Sequence, residues 1–295
     1  MKSLLLLLLL PAFVMADERP LPKVKHMIDT HIHLYDTERE EGVPWPPKND
    51  KVLHKPHLPA EFKTVSRPAG LTGVIIVEAS DWPADNKWVL DLIKDDDYFV
   101  GLVGNIDPYA EDFAKQLAEL KKDSRLVGLR ARNGGDKKAI DYADEKFLAS
   151  MRELARQDLS VDILVNGGGV EAVKQVDQLA RTVPELHIIV DHVLGYDFDG
   201  KAPPADWVTA VEKLAENKNV WCKISGLYQR SIPQPAPHDL DHYRSVLEVL
   251  WKNLGSKRLI FGSHPPFTPL LRSKGGFNAL APKANSCYEV GQVEV

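Results

Sequence analysis

The chain has 295 residues, 44% of them apolar and 27% charged, with 37 basic against 42 acidic side chains and a formal net charge of -5. That composition excludes a disordered tail, a collagen-like repeat and a disulfide scaffold. An acidic balance gives no electrostatic reason to expect nucleic acid or an anionic membrane as partner, so a small-molecule ligand is the expectation.

Residues 1–16 read as a secretory leader: Lys2 supplies the positive charge, seven leucines follow at 4–10, and Pro11 ends the run ahead of the small residues Val14 and Ala16. Seven leucines are too few to span hydrocarbon, which needs about 20 apolar residues. The expected product is a soluble exported protein, secreted or periplasmic, with no membrane association after cleavage and with residues 24–295 forming its domain. Export permits disulfides, but Cys222 sits inside an apolar run and Cys287 is the only other cysteine, so both are expected to be unpaired thiols.

From residue 24 onward short runs rich in Val, Ile and Leu recur at 24–29, 73–78, 99–104, 126–131, 161–166, 187–192, 220–225 and 258–263. Between them lie stretches with helical spacing, such as 112–120 and 170–180. Strands alternating with helices predict a parallel sheet, and near-continuous apolar character predicts strands covered on both faces. Eight such units point to a single (β/α)8 TIM barrel, with an open doubly wound sheet as competitor.

The strand ends carry the chemistry. His31 and His33 follow the first run, Glu78 the second and Asn105 the third. Arg130 and Arg132 lie at the fourth, Asn166 at the fifth, Asp191 and His192 at the sixth, Lys223 and Ser225 at the seventh, and His264 after the eighth. A barrel would bring these C-terminal ends to one rim, where such folds keep their active sites.

The most specific local motif is Asp29-Thr30-His31-Ile32-His33. In an extended segment Asp29, His31 and His33 share one face, expected to be the barrel mouth. Two imidazoles so placed can bind a divalent metal or donate hydrogen bonds to a developing oxyanion. Asp191 and His192 are adjacent, so only one is expected to face the mouth squarely, and His192 is preferred. Arg130 and Arg132 are candidates for binding a substrate carboxylate, or else simply pair with acidic neighbours. Lys223 is a mouth residue that either binds substrate or forms an ion pair, and Glu78, a further substrate-side candidate, is a metal ligand, a base or a structural acceptor.

Five segments taken in order resemble the amidohydrolase-related proteins of the amidohydrolase superfamily. They are Asp29-Thr30-His31-Ile32-His33, Val127-Gly128-Leu129-Arg130, Ile189-Val190-Asp191-His192, Cys222-Lys223-Ile224-Ser225-Gly226-Leu227 and Arg258-Leu259-Ile260-Phe261-Gly262-Ser263. Their order and wording are most similar to the branch containing 2-pyrone-4,6-dicarboxylate lactonase and the sugar-acid lactonases. The resemblance implies a TIM barrel that hydrolyses a small carboxylate-bearing lactone, or a related ester or amide. It also implies His31, His33 and His192 as catalytic residues or ligands of one divalent metal such as zinc, although some lactonases of the branch work without metal. The family usually carries an aspartate after Phe-Gly-Ser as general base, where this chain has His264 followed by Pro265 and Pro266. An imidazole can take a proton from water, so His264 is the candidate base. Two alternatives remain open: a metal-dependent decarboxylase of the same superfamily, and a non-catalytic barrel that binds ligand after losing the aspartate. The segment beyond Ser263 lacks the periodicity of a closing helix and is an atypical tail.

Overall fold

The computed structural model describes residues 26–132, 140–165, 167 and 169–264. The leader, Asn166 and the tail from residue 265 lie outside them. Eight parallel strands stand in sequence order: β1 (Ile28–Ile32), β2 (Gly73–Val77), β3 (Phe99–Gly104), β4 (Leu126–Arg132), β5 (Ser160–Leu164), β6 (His187–Val190), β7 (Val220–Ile224) and β8 (Leu259–Phe261). Seven described helices fill the crossovers: α1 (Pro59–Ser66), α2 (Ala84–Ile93), α3 (Phe113–Leu120), α4 (Glu145–Arg156), α5 (Val170–Thr182), α6 (Ala205–Leu214) and α7 (Asp241–Leu254). None of the described helices is long and apolar enough to cross a membrane.

Local chemistry sets the boundaries. Pro59 occupies the first turn of α1, where its missing N–H costs nothing. The Asp144 carboxylate caps α4, accepting from the Lys146 and Phe147 amides at 2.8 and 3.2 Å. Helix α7 stops at Gly255, whose φ of 72° a side chain would resist. Between sheet and helices lies a core that includes Trp207, Phe147, Leu154, Leu179, Val211 and Leu250, all 1% exposed or less.

The sheet closes without a full β8–β1 ladder. Four hydrogen bonds among the described residues do the work: Thr30 Oγ1 donates to the Phe261 carbonyl at 2.7 Å, the Ser263 amide to Asp29 Oδ1 at 2.9 Å, the Ser263 hydroxyl to Asp29 Oδ2, and the His264 amide to the His31 carbonyl at 2.9 Å. The barrel is therefore nearly closed, and its last strand delivers His264 onto the first-strand histidines.

The strand expected at 24–29 begins instead at Ile28 and runs through His31, because pairing with β2 starts at Ile28 opposite Gly73. The register shifts between Asp29 and Ile32. Asp29 consequently does not line the mouth: its carboxylate is fully buried, fastened to Ser263 and to the His31 amide.

Candidate active site

Four imidazoles meet where β1, β6 and β8 end. Ring centres lie 5.0 Å apart for His31 and His33, 4.6 Å for His31 and His192, 4.8 Å for His31 and His264, and 5.3 Å for His33 and His264. His192 and His264 are stacked at 4.2 Å with 29° between their planes. All four are buried.

Both Asp191 and His192 reach this cluster, which corrects the expectation that only one would. Strict alternation holds only while the chain stays extended, and β6 ends at Val190. His192 then adopts φ 52°, the first of four successive residues, through Gly195, with positive φ. Positive φ is costly for histidine and more so for the β-branched Val193, and such backbone persists only where its surroundings impose it. The imposed turn swings His192 over the mouth, where its Nδ1 lies 2.8 Å from Ser225 Oγ. Gly226, at φ 67°, leaves room for that ring, since a Cβ there would sit 3.1 Å from His192 Nδ1. Gly262 is equally constrained: a Cβ would fall 2.6 Å from that of His31.

Beneath the histidines lies a layer of buried charge. Arg130 donates to Asp191 Oδ2 from Nε at 3.1 Å and Nη2 at 2.8 Å, and its Nη1 is 3.8 Å from Glu78 Oε1. Lys223, 1% exposed, pairs with Asp162 and stands 3.3 Å from Asp191 Oδ1 and 3.4 Å from His31 Nδ1. Arg130 and Lys223 thus take the ion-pair role that the sequence left as one alternative, and neither is an open receptor for a substrate acid. Buried charges survive only when paired in this way. The backbone of Arg132 closes β4 opposite Leu164, and its side chain lies outside what is described.

Two residues escaped the sequence reading. Asp162 is a lone carboxylate inside the apolar strand Ser-Val-Asp-Ile-Leu, and a charge in such a setting needs a buried partner, a clue that was available. Trp45, from the loop after β1, sets its indole 6.1 Å from His33, and no local pattern announces it.

Burial sets the protonation of the site. It pushes His33 and His192 down to about 3, and His31 and His264 also fall well below the ordinary imidazole value. For His264 the neighbouring imidazoles add to the effect. Burial raises Asp29 and Asp162 to about 6. It would raise Asp191 too, but the Lys223 and Arg130 cations outweigh it and hold that carboxyl well below its usual range. Between about pH 3 and 6.5 the unfolded chain binds protons at four histidines that the fold refuses, so stability is lost as pH falls through this window. Asp29 and Asp162 act oppositely between about pH 4 and 6, because there the fold binds the proton and the unfolded chain does not. Four groups against two give the sign: Tm is expected to be lower at pH 5.5 than at pH 7.5 in thermal scans. A higher Tm at the acid end would mean that the histidines are not held neutral.

Neutral imidazoles are also what a metal requires. The nitrogens of His31, His33 and His264 form one set whose ligand atoms lie within 4.8 Å of one another, and His31, Asp191 and His192 form another. His31 Nε2 is buried with no hydrogen-bond partner among the described residues. The residues therefore fit a divalent ion such as zinc, held by three imidazoles in the manner of open catalytic zinc sites.

An eight-stranded parallel barrel with a histidine-lined mouth defines a class of barrel hydrolase. The amidohydrolase family profile matches residues 28–285, and the chain belongs to that family. Among curated relatives, an L-fucono-1,5-lactonase from Burkholderia ambifaria is 26% identical over 268 residues, covering 89% of this chain and 88% of its own. A zinc-bound amidohydrolase from Burkholderia multivorans superposes with a TM-score of 0.73 at 23% identity, over 90% of this chain and 93% of its own. A Pseudomonas putida protein assigned as a 2-pyrone-4,6-dicarboxylic acid hydrolase gives 0.66 at 20% identity, over 90% and 92%. The chain is an amidohydrolase-family barrel enzyme.

Proposed function

We propose that the protein hydrolyses a sugar-acid lactone, of the kind named for its Burkholderia relative, and that the leader at residues 1–16 exports it to do so. The observation that carries the reading is the cluster of four buried imidazoles at the strand ends. His31 and His33 polarise the lactone carbonyl. His264 accepts the proton of the attacking water, held in place by its stack on His192. Water oxygen bonds to the carbonyl carbon, the ring C–O bond breaks, and the proton passes to the departing ring oxygen, giving a free hydroxy acid. A divalent ion held by the other set, His31, Asp191 and His192, would supply Lewis acidity at that carbonyl in place of the His31 donor and leave His264 free as base.

The charge layer favours a neutral, polyhydroxylated lactone over a carboxylate-bearing one. Arg130 is already occupied by Asp191 and flanked by Glu78, which leaves its guanidinium poorly placed for a substrate acid. Glu78 is suited to accept from substrate hydroxyls. The test is a panel of purified lactones that includes L-fucono-1,5-lactone and 2-pyrone-4,6-dicarboxylate, followed by acid release at constant pH. Turnover of the sugar lactone with little of the pyrone is expected. Release of carbon dioxide from an aromatic acid, or tight binding of every lactone without turnover, would overturn the reading.

A further inference from the structure

His192 is carried over the mouth by a turn that its own sequence does not favour. His192, Val193 and Leu194 have φ between 51° and 57°, and Gly195 follows at 69°. Residues with a Cβ, Asn and Asp apart, rarely enter this region, and then singly rather than in runs. One end of the turn is fixed by the sheet, where the Asp191 amide donates to the Ile163 carbonyl at 3.0 Å. The other end is fixed from a different loop, the one between β7 and α7. Arg230 donates from Nε to the Tyr196 carbonyl at 3.0 Å and from Nη2 to the Gly195 carbonyl, and Nη2 also lies 2.9 Å from Asp197 Oδ1. Backbone bonds reinforce the join: the Phe198 amide donates to the Arg230 carbonyl at 2.8 Å, and the Ile232 amide to the Phe198 carbonyl at 2.6 Å.

The same loop shapes the seat of the imidazole. The Arg230 amide donates to the Gly226 carbonyl at 3.0 Å, closing a single turn whose first residue is the glycine that leaves room for the His192 ring. Arg230 is 16% exposed, and a planar guanidinium fork can hold two successive carbonyls as a single ammonium cannot. We infer that Arg230 is a positioning residue: by gripping the Gly195 and Tyr196 carbonyls it holds the left-handed turn and so keeps His192 stacked on His264. Its effect on rate rests on the proposed hydrolysis, in which that stack steadies the base. The ring placement is read in the resting protein, so it stands or falls separately from turnover.

The competing account is that packing of Val193 and Leu194, both buried, holds the turn alone. The test compares wild type, Arg230→Ala and Arg230→Lys as purified full chains at pH 7.5 and equal zinc content, with histidine labelled with 13C at Cε1. The rings of His192 and His264 are stacked at 4.2 Å, so in wild type the His192 Cε1 proton, assigned through His192→Gln, is expected upfield of an unstacked neutral imidazole. Arg230→Ala should lose most of that shift and Arg230→Lys part of it. With a lactone that is turned over, Arg230→Ala should lower kcat by about 10–100-fold and leave KM within about twofold, the pattern of a displaced reacting group. A wild-type proton without the upfield shift would overturn the inference. So would variants that keep the wild-type shift, which would leave the turn to packing alone. A lost shift with unchanged kcat would remove the stack from the reaction. If no lactone is turned over, the hydrolysis fails while the spectra still decide what Arg230 holds. Should Arg230→Ala not fold, Arg230→Lys decides: a wild-type shift there overturns the inference.

Discussion

Replacing Asp191 by asparagine is expected to destabilise the protein by about 3–5 kcal/mol, the cost of stranding buried charge. The substitution is nearly isosteric, so packing is preserved and only the charge is removed. Asp191 is fully buried, accepts two hydrogen bonds from Arg130 through Oδ2, and faces Lys223 and His31 through Oδ1. Without its charge, the anionic neighbours left among the described residues are Glu78 at 3.8 Å and the field of Asp162 for Arg130, and Asp162 for Lys223. Two cations would then share less counter-charge in a medium that screens poorly. Urea unfolding of both proteins at pH 7.5 gives the difference directly. Asp91→Asn serves as control: Asp91 pairs with Lys87 on the surface, where the side chains are 62% and 78% exposed, and exposed pairs contribute little. A loss for Asp191→Asn as small as the control would mean that water reaches the charge layer.

His31→Ala is expected to lower kcat for the best lactone of the panel by about 10²–10⁴, the range for removing a positioned proton-transfer or oxyanion-stabilising group. KM should move far less, because a donor to the developing oxyanion acts mainly in the transition state. The residue is fully buried and central to the cluster, 4.6–5.0 Å from the ring centres of His33, His192 and His264. Its loss therefore removes one of the two imidazoles, His264 being the other, that neighbour all the rest. A thermal scan of the variant separates lost chemistry from lost fold. Equal lactone turnover in wild type and variant would remove His31 from the reaction.

Most of the barrel was legible in the chain. The eight apolar runs fall on the eight strands within a few residues, because strands covered on both faces must be apolar throughout, and this is a local property. The motif around His31 and His33, His192 and His264 was also legible, since each is a polar residue terminating an apolar run. The pairing among these residues was not. Arg130 and Lys223 read as either substrate-binding groups or ion-pair partners, but their partners were not legible: each reaches a carboxylate 61 positions away in sequence. Asp29 looked like a mouth residue by alternation, yet the register shift in β1 and a bond to Ser263, 234 positions away, bury it at the seam.

By itself, then, the sequence determined the kind of fold, the number of its repeating units and the rim that carries its histidines, all through periodicity and the placement of polar residues at strand ends. Only the tertiary structure decided that Asp191 and His192 share the site, that Asp162 belongs beneath it, and that Lys223 faces His31 rather than solvent. Those outcomes depend on a left-handed turn after β6 and on barrel closure, which bring together side chains with no local relation. Who neutralises whom inside a barrel is set by its circumference and register, and neither is written in any one segment.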